Sequence, residues 1–114
     1  MLSIAGRADT LVKILGELVD PVAVEAELLA MAGAVPGSAA VVAVPDERAG
    51  QRLVLVHENV TAELPWSQIL ERYHAVCPGF RRVSRVFGIE SLPKSPLGKI
   101  RRAALSQWAA NKFI

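Results

Sequence analysis

At 114 residues, with 52% hydrophobic, 21% charged and 5% aromatic side chains, the chain has the size of one domain and enough apolar surface to offset the entropy of ordering it, which argues against intrinsic disorder. Its formal net charge of +2 establishes no nucleic-acid or membrane partner without a concentrated patch. The single cysteine rules out an internal disulfide framework, and no apolar run approaches the ~18 residues of a membrane span.

In chain order, LVKILGE (11–17) alternates in part and is ended by Gly16, which predicts a short strand or hairpin arm. In DPVAVEAELLAMAG (20–33), Asp20 stands at an N-cap, Pro21 at the first helical position and Gly33 just past the end. A helix is predicted there, with Val24, Leu28 and Met31 on its inner face. Ala23 takes the place of a capping-box glutamate, so the reciprocal bond is lost. SAAVVAVPDE (38–47) reads as a buried strand stopped by Pro45 and Asp46, and QRLVLVHEN (51–59), which reads as alternating, as its antiparallel partner across a tight connection, the two forming the centre of the sheet.

LPWSQILERYHAVC (64–77) carries Ile69, Tyr73 and Val76 at helical spacing, with Pro78-Gly79 as the stop. RVSRVFGIESL (82–92) predicts a strand with a bulge at Gly88, and IRRAALSQWAANKF (100–113) a closing helix with Ile100, Ala104 and Trp108 on one stripe. The order strand, helix, two strands, helix, strand, helix predicts an α+β domain, a small sheet with about three helices packed on it. Cys77, with no His or Asp beside it in a motif, reads as a buried structural thiol, and His57 and His74 as satisfied or solvated side chains. Met1 to Gly6 lacks the basic start and apolar block of a secretory signal, so a cytoplasmic location is expected by default.

Charge is unevenly spread. Arg81, Arg82, Arg85, Lys94, Lys99, Arg101, Arg102 and Lys112 crowd the last third, while Asp9, Glu17, Asp20, Glu25, Glu27, Asp46 and Glu47 fall in the first half. Nucleic-acid binding by the basic third is disfavoured, because aromatic residues are not interleaved with the cations and no readout motif is present.

One cation is singled out by its setting. In LPKSPLGKIRRAAL (92–105), Pro93 and Pro96 stiffen the approach to Lys99, Gly98 permits a backbone conformation closed to other residues, and the following helix fixes where the side chain emerges. Most lysines in basic segments are solvated surface charges. A lysine held at a defined place also suits negative charge developing on a carboxylate or phosphate. The Gly98-Lys99 pair is not a phosphate-binding P-loop, because Pro93 stands where that motif needs glycine and Ile100 where it needs Ser or Thr. Chemistry at Lys99 therefore calls for a second domain that brings the substrate.

Two segments now combine: GRADTLVKILGELVDPVAVE (6–25) and LPKSPLGKI (92–100) followed by Arg102, joined by VVAVPDERAGQRLVLV (41–56). Over residues 6–105 they resemble the C-terminal domain of the adenylate-forming enzymes, which include acyl-CoA and aryl-CoA synthetases, peptide-synthetase adenylation domains and luciferase. The resemblance implies that residues 1–5 are a leader and 6–114 the mobile C-terminal domain of an AMP-forming acid–thiol ligase, inactive without its large N-terminal domain. That domain would bind most of the ATP and Mg2+, and a carboxylic acid and coenzyme A would be the co-substrates. No metal ligand is assigned to this chain.

The resemblance implies a role for each matching residue. Lys99 matches the lysine that stabilises charge during adenylation, Asp9 the hinge and Arg7 an arginine near the nucleotide. Gly16 matches a glycine beside which the thiol arm passes, and Lys13 a position facing the second, thioester-forming step. Each also has a plainer reading: Gly16 as a strand end, Arg7 and Asp9 as an exposed pair, Lys13 as a surface residue. Leu18 departs from the family, where a basic or polar residue able to reach the nucleotide is common. The run from Pro93 to Lys99 resembles the setting in which such lysines are acetylated, so a lysine acetyltransferase acting on Lys99 is an expected partner. The alternative is a stand-alone binding module that kept the fold and lost the reaction.

Overall fold

The structure, a computed structural model, describes residues 11–34, 37–48, 50–58, 64–77 and 79–112. A hairpin of β1 (Val12–Ile14) and β2 (Glu17–Val19) leads into α1 (Pro21–Ala32). Then follow β3 (Ala39–Asp46), β4 (Gly50–Glu58), α2 (Trp66–Val76), a 3-10 turn at Gly79–Arg81, β5 (Val83–Ile89) and α3 (Arg102–Asn111). This is the predicted α+β order with one addition, the second arm of the opening hairpin. The caps of α1 are those expected: Asp20 Oδ1 accepts from the Val22 N–H at 3.0 Å. Gly33, at φ 66°, ends the helix while its own N–H and that of Ala34 reach back to the carbonyls of Ala30 and Leu29.

The main sheet has the order β3-β4-β5. β3 and β4 are antiparallel, with Ala39 opposite His57 and Asp46 opposite Gly50, as predicted. β5 runs parallel to β4, which the intervening α2 makes possible by returning the chain to its starting end. The centre is therefore β4 alone, and β3, predicted as part of the centre, is an edge strand. The predicted bulge also moves. Gly88 sits in register opposite His57, while the register breaks between Leu53 and Val54, leaving Ser84 as the extra residue. The Ser84 hydroxyl donates to the Leu53 carbonyl at 3.0 Å, satisfying an acceptor at the irregularity.

Helices cover both faces of the sheet, so most of β3 and the Leu53–Val56 stretch of β4, expected to alternate, are buried on both sides, while β5 stays largely open. On one face Ala39, Val41, Leu53, Leu55 and Val83 pack with Val24, Leu28 and Leu29 of α1 and with Trp66, Ile69, Leu70 and Tyr73 of α2. On the other, Ala40, Val42, Val44, Val54 and Val56 meet Leu92, Leu105 and Ala109. Each fully buried aliphatic side chain contributes about 1.5–3 kcal/mol.

Two predicted helix faces are corrected. Val76 is 80% exposed, because α2 ends there and Cys77 takes the inner position. In the last helix the buried residues are Leu105 and Ala109, Ala104 faces outward, and Ile100 precedes the helix altogether. Trp108 packs at the margin of that core. Cys77 is half-buried rather than buried; burial pushes its thiol pKa up, against the nearby Arg82 and Arg81.

Candidate functional site

Lys99 projects from a tight hairpin. The Gly98 N–H donates to the Ser95 carbonyl at 2.8 Å, and the Ser95 N–H to the Lys99 carbonyl at 2.7 Å. The Ser95 hydroxyl accepts from the Leu97 and Lys99 N–H groups, each at 3.3 Å. Gly98, at φ 86°, supplies the left-handed residue the turn needs, while Lys94 and Ile100 pair across its base. Lys99 is exposed and makes no ion pair among the described residues. Leu97, at the tip, is 87% exposed.

Carboxylates hold both ends of this hairpin. At the leading end, Glu58 Oε2, at the close of β4, accepts from the Leu92 N–H at 2.9 Å and lies 3.9 Å from Lys94 Nζ. At the trailing end the Arg101 N–H donates to the Pro93 carbonyl at 2.8 Å, and the Arg102 guanidinium forks onto Glu25 of α1 at 2.7 and 3.0 Å. That hydrogen-bonded carboxylate raises the Arg102 pKa above its ordinary value, burial opposing it. Glu25 is 7% exposed, and its Oε1 also accepts the Val41 N–H from the free edge of β3 at 2.9 Å. The Ser106 hydroxyl of α3 donates to the Ala43 carbonyl along the same edge.

Lys13 and Gly16 lie on the β1–β2 hairpin. Leu15 (φ 54°) and Gly16 (φ 82°) form its two-residue turn, both in the left-handed region, the signature of a type I′ turn. Glycine and asparagine suit these positions. A leucine there costs on the order of 1–2 kcal/mol. Leu15 and Leu18 are 62% and 63% exposed, with Lys13, also exposed, directly opposite Leu18. Among the described residues, apart from its two chain neighbours, no atom lies within 4 Å of where a Gly16 side chain would begin, so that face of the turn is open to them. Beneath, Ile14 and Val19 are buried in the core. The hairpin leans on the start of β4, where a Cβ on Gly50 would stand 3.5 Å from the Lys13 carbonyl.

The Lys13–Gly16 hairpin thus adjoins the Gly50 end of β4, and the Lys99 hairpin the Glu58 end. Eight residue steps of strand separate those ends, roughly 26 Å. Arg7 and Asp9 lie outside the described residues.

Folding resolves the uneven charge. Acids of the first half meet bases of the last third at Glu25–Arg102 and Glu27–Arg81, the latter at 3.7 Å, and mid-chain Glu58 meets Lys94. Glu27 also accepts the Tyr73 hydroxyl at 2.9 Å; burial first, then that carboxylate, pushes the phenol pKa up. Both histidines are satisfied: His74 Nε2 accepts the Val83 N–H at 3.1 Å, and His57 stacks on Trp66 with its Nδ1 3.2 Å from the Glu58 carbonyl. Sequence reasoning missed Glu25 as a functional neighbour of Arg102. The available signal was an acid directly after Val24, on the face predicted to be buried. Among the described residues no cluster of His, Cys, Asp and Glu could hold a metal ion, and no helix is long and apolar enough to cross a membrane.

No protein-family profile matches the chain. It is 31% identical over 111 residues to 4-coumarate–CoA ligase-like 2 of Arabidopsis thaliana, a match that spans 96% of this chain and 19% of that protein. Among solved structures, a fatty acyl CoA synthetase of Mycobacterium tuberculosis superposes with a TM-score of 0.76 at 25% identity, over 93% of this chain and 21% of the other. The anthranilate CoA ligase AuaEII, in complex with anthranoyl-AMP, does so with a TM-score of 0.73 at 25% identity, over 95% and 21%. The chain spans about one fifth of the length of these proteins.

Proposed function

The chain belongs to the adenylate-forming superfamily as its C-terminal domain, and from that premise we propose that it works in an ATP-dependent, AMP-forming ligase that joins a carboxylic acid to a thiol. Coumarate, fatty acid and anthranilate in the relatives' names support a carboxylic acid substrate, and the same names support coenzyme A as acceptor. A stand-alone binding module is not favoured beside relatives named as CoA ligases.

In the first step a carboxylate oxygen of the acid bonds to the α-phosphorus of ATP, the α–β anhydride bond breaks and pyrophosphate leaves. Lys99 supplies a full positive charge to the carboxylate and phosphate oxygens as they approach one another. In the second step the thiol sulfur bonds to the acyl carbon, its proton is released and AMP departs. Gly16 gives the thiol arm room, and Lys13 faces it. Asp9 serves as the hinge between the two arrangements and Arg7 contacts the nucleotide. Leu18 has no polar atom with which to add to that contact. The large domain holds most of the ATP and the accompanying Mg2+.

The observation that carries this reading is the placement of two exposed, lysine-bearing hairpins at opposite ends of β4, a strand roughly 26 Å long. One site cannot take both at once, so a domain that serves two steps must turn between them. Acetylation of Lys99 would remove the charge on which the first step depends.

The test joins the chain to its large domain and compares native protein with Lys99→Ala in acid-dependent ATP–pyrophosphate exchange and in thioester formation from preformed acyl-adenylate. Exchange is expected to fall about 100-fold or more, with thioester formation retained. Unchanged exchange would remove Lys99 from the first step.

A further inference from the structure

Building on the assignment of Lys99 to the first step, we infer that the Glu25–Arg102 pair positions Lys99, so that adenylation depends on Arg102 and thioester formation does not. Only Ile100 and Arg101 separate Lys99 from Arg102. Arg101 closes the hairpin through its N–H to the Pro93 carbonyl, and the next residue begins α3. No side chain caps that helix start: Arg101, at the cap position, makes no capping bond. Among the described contacts, the side-chain tie from the start of α3 to the rest of the domain is the fork from Arg102 to Glu25.

The fork is suited to positioning as well as to holding. Two parallel bonds between planar groups fix orientation along with distance, which a point charge such as lysine does not. The acceptor is fixed in turn, because Glu25 is buried and bonded to the backbone of β3. The path from Lys99 to the sheet edge is therefore short and made of directional contacts. The leading end is held differently, by burial of Leu92 in the core, by the Leu92 N–H to Glu58 and by a 3.9 Å pair through a long lysine, none of which forks as the Arg102 contact does. Release of Arg102 leaves the hairpin folded on its own Ser95 bonds and anchored by Leu92 and Ile100, but without the directional tie that sets its tilt against the sheet edge. Misplacement of a charge by about 1 Å can cost on the order of 100-fold in rate.

The experiment uses the chain joined to its large domain and measures both half-reactions for native protein, Lys99→Ala, Arg102→Lys, Arg102→Ala and the Lys99→Ala/Arg102→Ala double variant. Arg102→Ala is expected to lower kcat of pyrophosphate exchange about tenfold or more, with KM within about twofold and thioester formation unchanged. Arg102→Lys should lose less. The double variant should be no slower than Lys99→Ala, because the effect of Arg102 passes through that residue. If Arg102→Ala does not fold, Glu25→Gln removes the charge while keeping an acceptor for Val41, and carries the same expectations. A parallel fall in both half-reactions, or a loss that adds fully to that of Lys99→Ala, would reduce Arg102 to a structural residue and overturn the inference. Normal exchange in Arg102→Ala beside a crippled Lys99→Ala would overturn the inference alone. Normal exchange in Lys99→Ala would overturn both it and the proposed function.

Discussion

The two hairpins look alike and are held by different forces. Each turns on a glycine of positive φ, exposes a leucine and displays a lysine. The β1–β2 hairpin is held from below by the burial of Ile14 and Val19, whereas the Lys99 hairpin adds to the burial of Leu92 and Ile100 charged contacts at its two ends, from Glu58 and from Glu25 through Arg102. Burial is non-directional and tolerates small shifts, while forked ionic hydrogen bonds are directional. The difference matches the two tasks proposed: leaving room for a flexible thiol arm on one side, placing a single charge on the other.

Substitutions should separate the two modes. The largest effect is expected for Ile14→Ala, which removes a buried aliphatic side chain and should cost about 2–5 kcal/mol in urea unfolding while leaving the Lys99 hairpin's own bonds intact. Glu25→Ala, which strips both Arg102 and the Val41 N–H of their partner, should cost about 2–3 kcal/mol in the same measurement. An effect under 0.5 kcal/mol (on the order of a surface pair) would mean that the trailing end is held by packing after all.

Mild acid should act on the first hairpin. His74 is held below its ordinary pKa of 6.5 by burial, then by Arg82, and accepts the Val83 N–H while neutral. The folded state binds that proton less readily than the unfolded chain, so stability is fully present above about pH 6.5 and falls as pH drops through the lowered value. β2 packs beside the Gly79–Arg81 turn that follows α2, so the loosening reaches β1–β2 before the Lys99 hairpin. Thermal melts between pH 7.5 and 5, with His74→Gln as the flat control, check the sign. The smallest effect is expected at Leu15. Leu15→Asn places a residue tolerant of the left-handed region in the turn and should add about 0.5–1 kcal/mol. A concurrent loss in the thioester step would mean that the leucine is kept for contact rather than for the turn.

Much of this architecture was legible in the residues. Asp20, Pro21 and Gly33 set the bounds of α1 because caps and proline act locally. The apolar run of β3 announced a buried strand, and β4 its antiparallel partner. Less legible was anything decided by partners distant in sequence. That β5 joins β4 in parallel, leaving β3 at the edge, follows from how α2 crosses the sheet. Val76 and Ala104 fit a helical spacing but fall outside because the helix ends and the cover of each face are tertiary facts. At the site, the loop and its lysine stood out through Pro93, Pro96 and Gly98. Glu25 lies 77 positions from Arg102, and no local pattern links them.

The side chains along β3 bear on how copies of this domain behave toward one another. A bare strand edge is a template on which a second chain can add a strand, and a lid that turns through solvent on a hinge would carry that template with it. Glu25 takes the Val41 N–H, and Ser106 fills the Ala43 carbonyl, so two backbone groups in the middle of this edge are already engaged by the domain's own helices. Removal of this cover would appear first as concentration-dependent self-association, at a stage when the domain is still folded.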